Sequence, residues 1–586
     1  MVYKKIIYPL FLMGVGALLF SNGESKVIIA GIAIFLIGML FMDEGFKLFS
    51  GGVLEKILEK STNTLPKAIG TGFVVTSVVQ SSSLITVIVI SFLSAGLMSL
   101  SSAIGVVFGA NIGTTATAWI VSAFGMKIDI ATFAMPMLIF GVILRFNSQK
   151  SYQGFGNILV GLGFIFLGID YMKDGFDGLK EGINLAQYAM SGYLGAVLFV
   201  LIGIVATIII QSSSATVALI ITALAAGQIG YLNALELAIG ANIGTTITAI
   251  IAAMASNPNG KRLAVAHLIF NVITGAVAFI LLYQLAHLVD ILAVNIGIAE
   301  NDYAMKLSLF HTIFNIMGVL IVAPFTFKLV TYLEGLFKKE EDVIDRAQYL
   351  DDVVVMIPDA AVAALRKEVV HLYDNATEGF AHALSLHRHA FYGKENIQEV
   401  VKASTEQIDT NIDQLYDRKI KALYGDIIHF TVMAEQSFFD TETQTKAYKF
   451  KNASRNIVEA LKAVKEIQKN IAKYANSENK YLLEEYNFIR SEIAKTLDTI
   501  YLLQSNGDDL EVVSKLEVLK DDIKHLDLIN NGRIDNLIRE NKIDTNMATS
   551  IINDSAFAYD IIKRLIRVAT VLWITDNTLQ EMGEKL

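Results

Sequence analysis

Two short polar runs interrupt an otherwise apolar stretch of the chain. The sequence QSSS begins at Gln80 and again at Gln211. Serine hydroxyls donate and accept hydrogen bonds, and a helix that restarts after such a run offers unpaired N–H groups and the positive end of its dipole. These groups suit a compact oxyanion. We therefore expect an anion site built from Gln80, Ser81, Ser82, Ser83, Gln211, Ser212, Ser213 and Ser214.

The same breaks would leave backbone carbonyls unpaired where the preceding helix stops. Carbonyl, hydroxyl and amide oxygens suit sodium, a hard cation. No charged residue lies between Lys67 and Lys127, and only Glu236 is charged between 183 and 260, so we expect a site of neutral groups. A divalent anion bound alone at membrane depth is costly, and a co-bound cation offsets that cost. The pattern predicts coupled anion and cation transport but leaves the anion open.

A second motif, GANIGTT, is also written twice, at 109–115 and 240–246. Its glycines permit close backbone approach, and its Asn and Thr side chains supply donors and acceptors, so we expect a helix break at each copy. Weaker echoes flank both motifs: FLIGMLFMDEGF from Phe35 resembles FIFLGIDYMKDGF from Phe164. The chain thus contains one unit twice, at about 27–146 and about 154–290.

Other interpretations of these residues stay open. Small polar residues in membrane helices often serve close packing alone, although paired motifs in two copies weaken that alternative. His267 and His311 fit helix-packing histidines, with proton transfer as the alternative. Glu236 fits either a cation ligand or a residue near the membrane interface.

The elements that must position these motifs are membrane helices. A span needs roughly 20 mostly apolar residues. By that measure we expect eight spans, near 6–21, 26–42, 99–124, 130–146, 154–171, 230–255, 262–290 and 303–332. The segments 64–97 and 193–227 are too long for one span and carry a polar centre, which favours re-entrant hairpins.

Counting spans also predicts the symmetry and the orientation. Three spans separate equivalent positions, so the second copy is expected to lie inverted relative to the first, as in many secondary transporters. Lys and Arg are concentrated in the segments that would be cytoplasmic with the N-terminus inside, and 290–302 has none. Both termini are therefore expected in the cytoplasm.

Composition excludes several other classes of protein. The 586-residue chain has a net charge of -9 and no basic cluster, which argues against nucleic-acid binding. It contains no cysteine, so disulfides and thiolate metal sites are excluded. An enzyme is not expected, because no G-x-S-x-G elbow or P-loop occurs and the serines have no evident general base.

The doubled QSSS motif resembles the type II sodium/phosphate cotransporter family over nearly all of residues 1–335. The resemblance implies inorganic phosphate as substrate, sodium as co-substrate and no organic cofactor. It implies that both QSSS motifs hold phosphate, with Asn111 and Asn242 lining the same cavity. It implies sodium ligands among Gln80, Ser83, Thr114, Thr115, Gln211, Ser212, Thr245, Thr246 and Thr248. Animal members of the family generally have a long extracellular loop between the repeats, and this chain lacks it. The chain instead resembles the bacterial branch, in which a PhoU-like domain follows the transporter.

The remainder, 340–586, is charged and helix-periodic, and Pro358 is its one proline. Long amphipathic segments such as 453–475 and 556–573 predict one or two antiparallel bundles, which resemble PhoU-like domains. That resemblance implies metal binding by acidic motifs. Asp409, Asp413, Asp417, Asp554 and Asp560 fit either such a site or a solvated acidic face.

Together these features predict an all-α polytopic protein of the bacterial inner membrane. Its domains are expected at 1–337, which spans the lipid bilayer, and at 340–586, which is cytoplasmic and regulatory. The expected function is sodium-coupled inorganic phosphate symport, and a homo-oligomer is compatible with it. A carrier of another small anion, such as sulfate or a carboxylate, and a membrane-anchored phosphate sensor are the alternatives.

Overall fold

A computed structural model of the chain describes residues 23–50, 57–58, 61–125, 131–179, 192–337, 344–392, 396–405, 408, 411–436, 441–474, 477–507, 510–523, 533–575 and 578. The chain divides into two compact units, Met1–Lys339 and Glu340–Leu586. Every regular element of the described residues is helical, which confirms the predicted all-α class.

The first unit begins with α1 Gly23–Ser50, α2 Leu65–Val79, α3 Ser82–Ser94, α4 Leu100–Ile120, α5 Ala131–Arg145 and α6 Lys150–Leu179. It continues with α7 Tyr193–Ile210, α8 Ser213–Ala225, α9 Tyr231–Gly244, α10 Thr246–Met254, α11 Pro258–Ile280, α12 Leu282–Asn295, α13 Tyr303–Val322 and α14 Thr326–Leu336. A π-helical turn, Val121–Gly125, extends α4, and a 3-10 turn, Ala323–Phe325, joins α13 to α14.

Seven helical segments of the described residues are long and apolar enough to cross a membrane. They are Ser25–Leu48, Leu100–Ala123, Lys150–Leu179, Tyr193–Ile210, Tyr231–Met254, Pro258–Ile280 and Tyr303–Leu336. The expected span at 6–21 lies outside the described residues. The segment expected at 262–290 is divided at Leu281 into α11 and α12, and Thr132–Arg145 is a shorter apolar helix.

Helices α1 and α6, which carry the FLIGMLFMDEGF echo, pack backbone to backbone. A β-carbon added to the α1 glycines would lie 2.6–2.8 Å from carbonyl oxygens of α6, in the pairs Gly31–Gly168, Gly38–Gly161 and Gly45–Gly154. In these pairs the residue number increases along α1 as it decreases along α6, so the two helices are antiparallel. Only glycine permits this approach, since any side chain would enter the neighbouring backbone.

Helices α2 and α4 run side by side in the same direction. A β-carbon on Gly105 would touch Leu65, and one on Gly109 would touch Ile69. At the start of both helices, the Ser102 hydroxyl donates to the Thr62 carbonyl at 2.7 Å. Because α2 and α4 are parallel and joined through α3, the chain turns back at the QSSS motif and again before α4.

The same construction recurs at α7, α8 and α9. A β-carbon on Gly240 would lie 2.0 Å from Val200 O, and one on Gly244 would lie 2.8 Å from the Thr207 side chain, so α7 and α9 are also parallel. The Thr207 hydroxyl donates to Thr216 Oγ1 at 3.1 Å across the turn. Residues nine apart could not meet along one straight helix.

The second unit contains α15 Pro358–Ala383, α16 Ile397–Ala403, α17 Ile412–Leu415, α18 Lys421–Glu435, α19 Thr441–Tyr474, α20 Lys480–Asn506, α21 Leu510–Asp522, α22 Arg533–Arg539 and α23 Thr545–Trp573. A π-helical turn, Tyr416–Ile420, lies between α17 and α18. The buried core of the second unit contains Leu365, Ile457, Leu497 and Ile562. Helices α19 and α23 are antiparallel, since Asn470 bonds Asp554 near one end of the pair and Glu459 pairs with Arg564 near the other.

Candidate functional site

The two QSSS motifs adopt the same local structure. Gln80 ends α2 with φ +63°, and Gln211 ends α7 with φ +59°, both in the left-handed region that reverses the chain. The next serine caps the following helix: Ser81 Oγ accepts from Leu84 N at 3.3 Å, and Ser212 Oγ accepts from Ala215 N at 3.2 Å. The predicted helix breaks at both motifs are confirmed.

The two motifs meet through threonines that follow GANIGTT. Thr117 Oγ1 lies 2.8 Å from Gln80 Oε1 and 3.2 Å from Ser214 Oγ, so it contacts both motifs. Ser83 Oγ lies 3.4 Å from Thr248 Oγ1. Thr117 and Thr248 occupy equivalent positions, two residues after each GANIGTT. Each motif therefore contacts a threonine of the other copy.

Thr117 was not among the residues expected from the sequence. The resemblance pointed to Thr248, and the sequence GANIGTTAT beside GANIGTTIT places Thr117 at the same position. Alignment of the two copies at Thr248 is therefore the sequence signal that could have identified Thr117.

The other motif threonines donate to carbonyls of their own helices. Thr114, Thr115, Thr245 and Thr246 bond Ala110, Ile112, Ala241 and Ile243 at 2.7–3.0 Å. A hydroxyl that donates in this way keeps its oxygen lone pairs for a further donor or a cation. These side chains are buried, in keeping with oxygen ligands held in one orientation by the helix.

A carboxylate lies at the first motif, contrary to the expectation of neutral groups alone. Asp43 on α1 places Oδ2 3.4 Å from Ser81 Oγ. Sequence reasoning missed Asp43 because it precedes the uncharged stretch that begins after Lys67, and only packing brings α1 to this tip. At the second motif, Ser212 Oγ instead contacts Met39 Sδ at 3.3 Å. The two tips thus differ in charge although their backbones match.

Asn111 and Asn242 belong to a second buried polar cluster. Asn111 Nδ2 lies 3.3 Å from His267 Nε2 and 2.8 Å from Val107 O. Asn242 Nδ2 donates to Asn271 Oδ1 at 3.3 Å and to Asn315 Oδ1 at 3.2 Å. The hydrogen bonds of both asparagines thus lead to α11 and α13 rather than to the QSSS motifs, and their role toward phosphate stays a prediction.

His267 and His311 are completely enclosed by protein, at 3% and 1% exposed. Neither Nδ1 atom has a hydrogen-bond partner among the described residues. His311 packs against Phe314, as a helix-packing histidine would. Glu236 is also buried and accepts from Asn233 Nδ2 at 3.1 Å within α9.

The expected break at GANIGTT occurs in one copy only. In the second copy, α9 ends at Gly244 and α10 begins at Thr246. In the first copy, the motif lies inside the unbroken α4, so the prediction is wrong there. The motif's glycines instead allow α4 to pack on α2: a β-carbon on Gly109 would lie 1.9 Å from Ile69 O.

The acidic residues of the second unit pair with neighbouring side chains. Lys465 lies 2.6 Å from Asp413, Lys421 lies 3.3 Å from Asp417, and Arg564 lies 2.7 Å from Asp560. Asp554 is buried and accepts from Tyr486 and Asn470. Asp409 lies outside the described residues, which contain no group of three or more His, Asp or Glu placed to hold a metal ion. Asp413 and Asp417 are exposed, as the predicted solvated acidic face requires, whereas the burial of Asp554 does not fit that interpretation.

The Na+/Pi-cotransporter family matches residues 34–174 and 186–322, one segment for each copy of the repeat. The chain is 31% identical over 297 residues to uncharacterized protein YqeW of Bacillus subtilis (strain 168). This match covers 50% of this chain and 92% of YqeW. It is 29% identical over 352 residues to a protein of Escherichia coli (strain K12) provisionally named inorganic phosphate export protein YjbB. That match covers 59% of this chain and 62% of the relative's length.

A shorter match reaches an animal protein. Over 87 residues the chain is 39% identical to sodium-dependent phosphate transport protein 2B of Homo sapiens, covering 14% of this chain and 12% of that protein. No solved structure matches the chain significantly.

Proposed function

The chain belongs to the Na+/Pi-cotransporter family, and from that membership we propose that it is a sodium-coupled symporter of inorganic phosphate. In this proposal the unit 1–339 carries phosphate and sodium inward across a bacterial inner membrane, with both termini in the cytoplasm. The names of the Escherichia coli and human relatives concern phosphate export and phosphate transport, and they support phosphate as the anion.

The observation that carries the proposal is the meeting of the two QSSS motifs at Thr117. Gln80, Thr117 and Ser214 form a connected set of uncharged oxygens at the ends of two helices. Their hydroxyl–hydroxyl separation of 3.2 Å, and the 3.4 Å between Ser83 and Thr248, exceed the usual O–H···O distance of about 2.7–2.8 Å. Such loosely bonded hydroxyls are available to an incoming oxyanion or cation.

Charge explains why cations should accompany phosphate. Two helix N-termini contribute only about half a positive charge each, which leaves a phosphate dianion incompletely balanced. The described residues place no Lys or Arg against Gln80, Ser83, Thr117, Ser214 or Thr248. Sodium bound to the motif oxygens would supply the missing charge. Each net positive charge carried inward gains about 2.3 kcal/mol per 100 mV of interior-negative potential.

The helix directions support an inverted repeat. Helices α1 and α6 share a sequence echo and pack antiparallel, as two copies related by inversion would. The parallel pairs α2·α4 and α7·α9, each with a returning helix between them, suit hairpins that enter and leave on one face. We propose that these hairpins are re-entrant and that phosphate binds between their tips.

The experiment is radiolabelled phosphate uptake into proteoliposomes, with and without an inward sodium gradient and with sulfate as competitor. Uptake driven by sodium and resistant to sulfate is expected. Sulfate uptake would favour a carrier of another anion, and no flux at all would favour a membrane-anchored sensor. Sodium-independent phosphate flux that a proton gradient drives would overturn the coupling and return attention to His267, His311 and Glu236.

Phosphate export is the second candidate, because the Escherichia coli relative is named for that activity. A symporter runs in the direction that its gradients set, so the two candidates differ in coupling. Phosphate release from preloaded vesicles should accelerate when sodium is inside, if sodium is the coupled ion. Release that ignores sodium on either side would favour an uncoupled exporter.

The unit 340–586 is proposed to regulate the carrier as a PhoU-like domain. Its amphipathic antiparallel helices support that assignment. A homo-oligomer is compatible with the proposal, and cross-linking in membranes would test it.

A further inference from the structure

Asp43 is an acidic side chain in the apolar segment Ser25–Leu48. Its Oδ1 atom is buried and accepts no hydrogen bond from any described residue. Its Oδ2 atom lies 3.4 Å from Ser81 Oγ, the hydroxyl that caps α3. A carboxylate inside a membrane helix is costly, and those that persist face a partner, a cavity or an ion.

The protein groups near Asp43 offset its negative charge only in part. Ser81 offers a single uncharged hydroxyl at a long distance, and its oxygen is already the acceptor for Leu84 N. The charge of Lys47, one turn further along α1, acts on Asp43, but the Lys47 side chain is exposed, as that of a lysine extended toward the membrane surface would be. A bound cation would compensate the remaining negative charge.

We propose that Asp43 and Ser81 form a binding site for one of the co-transported sodium ions, a site that rests on the symport proposed above. Hard cations of this size bind oxygens at about 2.3–2.6 Å, so two ligands at right angles lie roughly 3.4 Å apart. The Asp43 Oδ2–Ser81 Oγ distance is 3.4 Å. The buried Oδ1 supplies a further oxygen. Neighbouring Gln80 connects the site to Thr117 and Ser214.

The site belongs to one hairpin tip only. When the two copies are aligned, the sequence DEGF of α1 matches KDGF of α6, so Asp43 corresponds to Lys173. At the second tip, Ser212 meets Met39 instead of a carboxylate. This sodium ion therefore binds at the first motif without a symmetric counterpart, and it couples cation binding to the tip that holds Gln80.

The test compares Asp43→Asn with Glu44→Gln in the full chain. Glu44 is the next residue on α1 and its side chain is exposed, so it controls for loss of one negative charge. Phosphate uptake is measured over a range of sodium concentrations. Asp43→Asn should raise the half-activating sodium concentration at least tenfold and lower the Hill coefficient, whereas Glu44→Gln should match the wild type. Unchanged sodium activation in Asp43→Asn overturns the site.

A second measurement separates this inference from the proposed function. Purified protein is heated in sodium chloride and in choline chloride, without phosphate. The wild type and Glu44→Gln should gain thermal stability from sodium, and Asp43→Asn should lose most of that gain. Equal sodium stabilisation of all three overturns the site even if phosphate transport fails. Should Asp43→Asn not insert, Asp43→Glu replaces it, with a smaller loss of sodium stabilisation expected and an unchanged response again overturning the site.

Discussion

Thr117 Oγ1 lies 3.2 Å from Ser214 Oγ, although the two residues belong to different copies of the repeat. The equivalent pair, Thr248 and Ser83, lies 3.4 Å apart. Each QSSS turn therefore contacts a threonine that lies just after the GANIGTT motif of the other copy. A change at one turn must be accommodated by the opposite copy, which is the relationship a site shared between two repeats requires.

Replacing Thr117 should impair phosphate transport. Thr117→Val removes the hydroxyl that connects Gln80 and Ser214 while keeping nearly the same shape. Hydrogen bonds to charged groups contribute about 1.5–3 kcal/mol, so the half-saturating phosphate concentration should rise tenfold or more. Initial uptake rates in proteoliposomes check this. Thr117→Ser should restore transport, and Thr331→Val, at an exposed site on α14, should behave as wild type.

Adjacent serines in the QSSS turns should differ in their effect on stability. Ser81→Ala and Ser212→Ala each remove a helix cap and should cost about 1 kcal/mol of stability. The Ser82 and Ser213 hydroxyls bond no described residue, so Ser82→Ala and Ser213→Ala should reduce phosphate uptake with unchanged thermal unfolding. Full-rate uptake by both of these variants would contradict the proposed anion site.

A methyl group at Gly109 or Gly240 should separate closely packed helices. The added carbon would lie 1.9 Å from Ile69 O in Gly109→Ala and 2.0 Å from Val200 O in Gly240→Ala. Overpacking typically costs about 1–3 kcal/mol, so folded yield and melting temperature should both fall. Gly70→Ala is the control, because no atom outside its own stretch of helix lies within 4 Å of its added carbon. Equal melting temperatures for all three variants would rule out this packing role.

Truncation after Lys339 should leave the transport activity in place. The unit Met1–Lys339 contains both repeats and every proposed ligand. Sodium-driven phosphate uptake by the purified fragment should equal that of the full chain, while its response to internal phosphate should change. A stably inserted fragment without any phosphate exchange would make 340–586 part of the transport machinery.

Stability of the second unit should depend on pH through His371. Burial lowers the pKa of His371, but hydrogen bonds and charges from Glu368 and Asp345 outweigh burial and raise it above the ordinary histidine value. A raised folded-state pKa stabilises the protein below the unfolded value, near 6.5, and this contribution is lost as pH rises through the folded value. Thermal unfolding of the full chain should therefore show a stability loss as pH rises above about 6.5, and His371→Gln should reduce that loss. An identical pH profile for the variant would exclude this role.

Local sequence determined much of the architecture. Apolar runs broken by polar turns predict helices and their approximate limits, because hydrophobic periodicity and capping act within a few residues. The helix breaks at Gln80 and Gln211 followed from the QSSS runs themselves. Duplicated motifs also predicted that two equivalent elements would meet, because a repeat carries long-range information in its own spacing.

Tertiary packing decided which side chains meet. Asp43 reaches Ser81 only because α1 passes the first hairpin tip, and no local pattern encodes that approach. Asn111 and Asn242 bond His267, Asn271 and Asn315 because α11 packs against both α4 and α9, and α13 packs against α9. The first GANIGTT stays helical since its glycines meet α2, an energetic gain that exists only after both helices form. Such contacts depend on side chains distant in the sequence, so they become determinate only in the folded chain.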